Sequence, residues 1–249
     1  MSIMQIVMTS TLNNAGPSAV LVMSLIANDY FGAGTSWGDS SGNSNPGTLV
    51  NSPTYTNTVP KHFSFNRASN QFVQGPNVGN LNTWTIESWF RISEPLSNIL
   101  ATAIVTTTYD NGAGISYGVV NYALSNYVAG GNGNHSVLTA GFYANGNWYT
   151  TDGFVPVVGT WYHVVGTYDG TTLKQWINGV LDSAGTVSVT AFPTSEGGPV
   201  RIARRWDYPA NDADQYFPGD IATVKIYNGV LSDAEIFDAW NGTRATYGV

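Results

Sequence analysis

The stretch Trp161-Tyr-His-Val-Val-Gly-Thr-Tyr168, Asp169-Gly-Thr-Thr172, Leu173-Lys-Gln-Trp-Ile177, Asn178-Gly179, Val180-Leu-Asp-Ser183 decides the fold class. Its apolar residues recur at every second position, the period of an extended chain whose side chains point alternately to opposite faces. Leu173, Gln175 and Ile177 therefore share one face, and Lys174 and Trp176 the other. Asn178-Gly179 tolerates positive φ at both central positions of a type I′ turn, which folds Val180–Ser183 back beside the preceding strand.

Outward from this hairpin the same alternation predicts strands at Phe63–Phe65, Thr85–Ile92, Val137–Ala144, Asn147–Thr151, Val200–Arg204 and Asp220–Tyr227. Glycine, 28 residues in all, recurs with Asn, Ser and Thr at short intervals, the punctuation of an all-β protein. The segments Tyr30–Pro46 and Tyr127–His135 are too rich in Gly and Asn for regular pairing and are predicted as loops. One helix is expected. Ser232-Asp-Ala-Glu235 has the form in which the hydroxyl caps the third helical N–H and the carboxylate reaches back, so a short helix should run from Asp233 to about Asn241. Ile236, Phe237 and Trp240 would be its buried stripe.

The chain has 249 residues, no cysteine and a net charge of -7, from 9 Lys+Arg against 16 Asp+Glu. Thiol nucleophiles, disulfides and zinc–thiolate sites are excluded. With 43% hydrophobic and 13% aromatic residues the chain carries the apolar surface that disordered chains lack, and too few basic residues to build a nucleic-acid face. Met1–Thr11 has no basic region ahead of an apolar stretch, and the apolar run Ala19–Ala27 is about nine residues against the ~20 of a membrane span. Neither an export signal nor a membrane partner is expected. Residues 1–18 are expected to form an N-terminal arm, suited to docking, and residues 19–249 a single domain.

Four segments stand out: Ser24–Leu49, Trp84-Thr-Ile-Glu-Ser-Trp-Phe90, Gly159–Lys174 continuing through Ile177-Asn-Gly-Val-Leu181, and Gly219–Ile236. They resemble laminin G-like, concanavalin A-like lectin/glucanase jelly rolls. Together they span about residues 20–245. The resemblance implies an all-β, two-sheet antiparallel jelly-roll sandwich with about six or seven strands in each sheet, and ligand loops at a rim or on the concave sheet. The ending, Ile236–Gly248, is similar to versions found in tailed-phage virion proteins, which implies a virion structural protein: a capsid decoration or a small tail or baseplate appendage. Such a protein would be made in the host cytoplasm, contact other virion proteins, form homo-oligomers and adhere to cell-surface glycans. A lectin module acting outside a virion is the alternative, and a glycoside hydrolase the third reading.

Retaining glycosidases need two carboxylates about 5 Å apart, and the glucanases of the resembled fold place them as Glu-x-Asp-x-(x)-Glu on one strand. On Thr85–Arg91, Glu87 has no acidic partner two or four residues away, so it is expected to be a structural or surface residue, facing Arg91 or a neighbouring strand. The imidazoles are His62, His135 and His163, and no Gly-x-Ser-x-Gly elbow is present. His163 alternates within a strand and is expected to be sheet packing; His135 lies in a loop, exposed to solvent. The chain is therefore expected not to be an enzyme.

Sugars are held by flat aromatic faces beside amides and carboxylates. The loop-borne candidates are Trp148 and Tyr149 beside Asn145 and Asn147, and Trp206 with Tyr208. Asp207, Asn211, Asp212 and Asp214 crowd oxygen ligands on one loop, the donor set that Ca²⁺ takes, although Arg201, Arg204 and Arg205 stand close enough in sequence to pair them instead. No cofactor is required. Asp39, Asn43 and Asn45 form a second oxygen-rich loop, expected to satisfy its own backbone.

Overall fold

The computed structural model describes residues 19–95, 101–107, 118–122, 137–144, 147–151, 153–189, 198–205 and 216–249. The first half supplies β1 (Val20–Ile26), β2 (Ser36–Trp37), β3 (Gly47–Val50), β4 (Thr54–Thr56), β5 (His62–Phe65), β6 (Phe72–Asn77), β7 (Trp84–Ile92), β8 (Ala101–Ala103) and β9 (Val105–Thr107). The second half adds β10 (Gly118–Tyr122), β11 (Val137–Ala144), β12 (Asn147–Thr150), β13 (Trp161–Tyr168), β14 (Thr172–Ile177), β15 (Val180–Ser188), β16 (Pro199–Ile202) and β17 (Gly219–Asn228). An α-helix, α1 (Asp233–Tyr247), follows.

The strands form an antiparallel sandwich. One layer is an eight-stranded sheet in the order β15-β14-β13-β7-β17-β5-β4, with β1 also paired to β17. Opposite it lie a five-stranded sheet, β2-β3-β6-β16-β9, and a four-stranded one, β12-β11-β10-β8. The expected jelly roll is present, with one layer divided in two. Between the layers Trp84, Ile86, Phe90, Val164, Tyr168, Leu173, Val224 and Ile226 of the large sheet meet Leu49, Val73, Val200, Leu138 and Phe142 of the smaller ones.

The hairpin read from sequence is in place. Val164 pairs with Ile177 and Tyr168 with Leu173, and Asn178 and Gly179 take φ of 51° and 73°, both positive as the turn requires. Leu173 and Ile177 face the main core, whereas Trp176 faces the other side with Lys174 over its ring.

Period-two alternation gives the large sheet a second buried face. Trp84, Ile86 and Phe90 of β7 enter the main core, so Thr85, Glu87, Trp89 and Arg91 emerge on the outer side, beneath α1. The helix starts at the expected capping box: Ser232 Oγ accepts from Glu235 N–H, and Glu235 Oε2 accepts from Ser232 N–H at 2.7 Å. It runs six residues past the expected end. Gly242 stays helical, and the stop is Gly248, in a left-handed conformation with φ of 74°. Tertiary stacking explains the extension: the Tyr247 ring lies 3.9 Å from Trp89, almost parallel to it, and Trp89 Nε1 donates to Thr243 Oγ1 at 3.0 Å. Ile236, Trp240, Thr243 and Tyr247 thus form the inward face. Phe237, expected in the buried stripe, sits off that face and is 45% exposed.

Candidate functional site

On the outer face of the large sheet, neighbouring strands bring Glu87 of β7, His163 of β13 and Lys225 and Tyr227 of β17 together. Glu87 is 2% exposed. Its Oε1 accepts from Lys225 Nζ at 2.8 Å and its Oε2 from the Tyr227 hydroxyl at 3.2 Å. His163 Nε2 stands 3.2 Å from Glu87 Oε1, close enough for an ion contact but off the line of a hydrogen bond, and its ring packs 5.1 Å from Trp89. Burial pushes the Glu87 carboxyl up, but the His163 ring and the Lys225 ammonium outweigh it and hold the group at about 2. Burial and the same carboxylate push the Tyr227 hydroxyl up.

Glu87 is therefore paired across neighbouring strands. Arg91, the other partner considered from sequence, turns instead to Asp220, which it reaches through Nε at 2.8 Å and Nη2 at 2.5 Å. Ser64 Oγ donates to the same carboxylate at 2.6 Å, and the Arg91 guanidinium lies over Trp161. Nothing in the local spacing of Arg91 and Asp220 links them, since 129 residues separate the two. Glu94 pairs with Arg67, and Glu235 completes the helix cap. The three described glutamates all hold structure together, and among the described residues no second carboxylate stands beside Glu87.

The loop at Asp39 also satisfies its own backbone. Asp39 Oδ1 accepts from Ser24 N–H and Ser41 N–H, and Oδ2 from Ser41 Oγ and Asn45 N–H, at 2.7–2.9 Å. Burial pushes this carboxyl up, yet the bonds from Asn45, Ser41 and Ser24 hold it below the ordinary range. Four donors aimed at one carboxylate leave it lined by N–H and O–H protons, which does not suit a cation. Asn43 and Asn45 donate instead to the Leu21 and Val22 carbonyls of β1. Among the described residues no group of three or more His, Cys, Asp or Glu could hold a metal ion. The calcium candidates Asp207, Asn211, Asp212 and Asp214 lie outside the described residues, as do Trp206, Tyr208, Asn145 and His135.

Of the glycan candidates, β12 carries Asn147, Trp148 and Tyr149 along one edge of the four-stranded sheet, where Trp148 pairs with Tyr143 and Tyr149 with Phe142. Tyr149 is half-buried, its ring 5.6 Å from Phe142 and packed on the main core. Beyond this edge the chain continues through Phe154 to Val155, Val157 and Val158, three exposed valines, with Phe154 bridged to Leu138. No helix among the described residues is long and apolar enough to cross a membrane.

A family model described as the concanavalin A-like lectin/glucanases superfamily matches residues 67–237. No curated protein matches the chain in sequence. Among solved structures, domain 4 of AbnA, a GH43 extracellular arabinanase from Geobacillus stearothermophilus in complex with arabinotriose, superposes with a TM-score of 0.61 at 21% identity, over 89% of this chain and 98% of that one. A structure of botulinum neurotoxin type C, whose cell entry depends on interaction with two ganglioside molecules, gives 0.65 at 16% identity. The binding domain of botulinum neurotoxin DC, in complex with rat synaptotagmin II, gives 0.64 at 15%. In both toxin comparisons 90% of this chain is covered but only 51% of the toxin chain, about half its length. At these identities the likeness is one of fold.

Proposed function

Because the chain belongs to the concanavalin A-like lectin/glucanase superfamily, we propose that it is a non-catalytic binding module that recognises glycans. The observation that carries this is the state of Glu87: the carboxylate on the strand where a glucanase of this fold would keep its acids is buried, ion-paired and covered by α1. A general acid must hold a proton near working pH and touch the scissile bond. Glu87 does neither. The arabinotriose and ganglioside ligands of similar folds support a sugar as the partner class.

The contact surface we assign to the edge of β12 and the loop after β16, through Trp148, Tyr149, Asn145 and Asn147 and through Trp206 and Tyr208. Glycan-array binding by the intact protein, followed by Trp148→Ala and Trp206→Ala, tests it. The expected result is binding that weakens by about tenfold in at least one variant, or ~1.4 kcal/mol. Unchanged affinity in both would remove these residues from the site, and no binding to any glycan would remove the function.

We further infer that the module is carried on a phage particle as a capsid decoration or tail appendage, supported by the resemblance of Ile236–Gly248 to tailed-phage virion proteins. Cryo-electron microscopy of the native particle should show ordered copies on the capsid or tail. Its absence from every particle would leave a lectin acting elsewhere.

A further inference from the structure

β14 turns Leu173, Gln175 and Ile177 towards the core, and the middle one of the three is an amide. Gln175 is fully buried, and an amide in an apolar interior is costly unless its donors and acceptor are met. Its partners lie across the sandwich, on the side of the four-stranded sheet. Gln175 Oε1 accepts from Thr151 Oγ1 at 3.4 Å, and its Nε2 donates to the Leu138 carbonyl at 3.3 Å.

Those two partners bracket an irregularity in the sheet. Thr151 N–H donates to the Ala140 carbonyl at 2.9 Å, and Leu138 and Phe154 exchange bonds of 2.7 and 3.0 Å. From Ala140 to Leu138 is two residues along β11, whereas from Thr151 to Phe154 is three along the opposing chain, the count of a β-bulge. Gly153 lets the extra residue fit, because a Cβ there would collide with the Val137 side chain. On one side of the bulge Ala140 N–H is taken by Thr151 Oγ1 at 3.0 Å, a hydroxyl in place of a ladder carbonyl. That hydroxyl passes its own proton to Gln175, whose amide reaches back to Leu138 on the other side. β12 is the outermost strand of its sheet, so this bridge ties the chain leaving an edge strand to the opposite layer. We propose that Gln175 is a positioning residue: from the large sheet it locks the bulge, and with it the place at which Asn147, Trp148 and Tyr149 stand along the edge. Its bearing on sugar binding rests on the glycan reading of that edge. Gln175 itself lies inside the sandwich and touches no ligand.

Thr151→Val removes the bridging hydroxyl at nearly constant shape, Gln175→Met removes the amide at similar length, and Thr151→Ser keeps the hydroxyl. These variants and the double variant Thr151→Val with Gln175→Met are titrated with the oligosaccharide that binds the wild type most tightly on the glycan array. Amide exchange is followed at Ala140 and Phe154 and, as a reporter of global opening, at Val224 of β17. The expected result is an affinity lower by about fivefold in each of Thr151→Val and Gln175→Met, with Thr151→Ser within about twofold of wild type. The double variant should fall no lower than Thr151→Val alone, since Gln175 acts on the bulge through that hydroxyl. Exchange at Ala140 and Phe154 should quicken by about tenfold while Val224 is unchanged. Losses that add in the double variant, a Thr151→Ser that binds no better than Thr151→Val, or wild-type affinity in both single variants would overturn the positioning role. Equal quickening at Val224 would also overturn it, as a general loss of stability. If the wild type binds no glycan, the function reading fails by itself: quicker exchange at Ala140 and Phe154 in Gln175→Met still supports the lock, and unchanged exchange there removes it.

Discussion

Glu87 shows how much one side chain depends on its neighbours. Replacing the carboxylate by an amide leaves the Lys225 ammonium without its counter-charge and a single oxygen to accept from it and the Tyr227 hydroxyl, so Glu87→Gln should cost on the order of 3 kcal/mol in denaturant unfolding. The pH dependence has a definite sign. The folded carboxyl titrates at about 2 against an ordinary 4.5, so its contribution is fully present above 4.5 and is lost as pH falls towards 2. The stability gap between wild type and Glu87→Gln should therefore close over that interval, checked by urea titrations from neutral pH down to about 2; a gap that stayed constant would refute it. At this scale the sequence carried half the information. The lack of an acidic neighbour marked Glu87 as structural or surface without deciding between them, because its partners lie 76 and 138 residues away along the chain and leave no local spacing to read.

Elements were legible where their signals are local. Asn178-Gly179 marked a turn and Ser232-x-x-Glu235 a helix start, because each motif satisfies its own backbone within four residues. Both can be tested. Ser232→Ala should cost ~1 kcal/mol through the lost cap. Gly179→Ala should cost about 1–2 kcal/mol, since the residue sits at φ of 73° and the added methyl meets Trp240; thermal or urea unfolding checks both. β1 was not legible in this way. Val20–Ile26 is a plain apolar run whose strand character comes from its partner β17, and the short β2, β3, β4, β8 and β9 likewise have pairing but little period. The helix end was misplaced because Asn241-Gly242 looks like a stop, whereas stacking of Tyr247 on Trp89 outweighs the weak propensity of one glycine. Tyr247→Ala should accordingly fray the last two turns, visible as faster amide exchange from Asn241 onwards. The Asp39 loop acts on an element too: its Asn43 and Asn45 amides occupy β1 carbonyls, which guards that strand against pairing with another chain.

At the scale of the whole molecule, alternation explains the layering. The central strands β7, β13 and β17 turn one side to the sandwich and the other, through Trp89, Trp161 and Ala222, to α1, so the middle of the sheet is buried twice. The all-β class followed from period and turn motifs, and the jelly roll from the resemblance of four segments to a known family. The proposed glycan surface has no such support in the sequence, because loops carry no periodic signature and its residues were picked by type alone. β17 has a further consequence. It pairs with β7, β5 and β1, and its contact with β1 joins Val20 to Asn228, about 200 residues apart. Such long closures slow folding towards the millisecond-to-second range typical of β-sandwiches. On the ribosome the large sheet therefore stays open at its centre until β17, Gly219–Asn228, has emerged, and a product that stops short of Gly219 has no native arrangement to fall into.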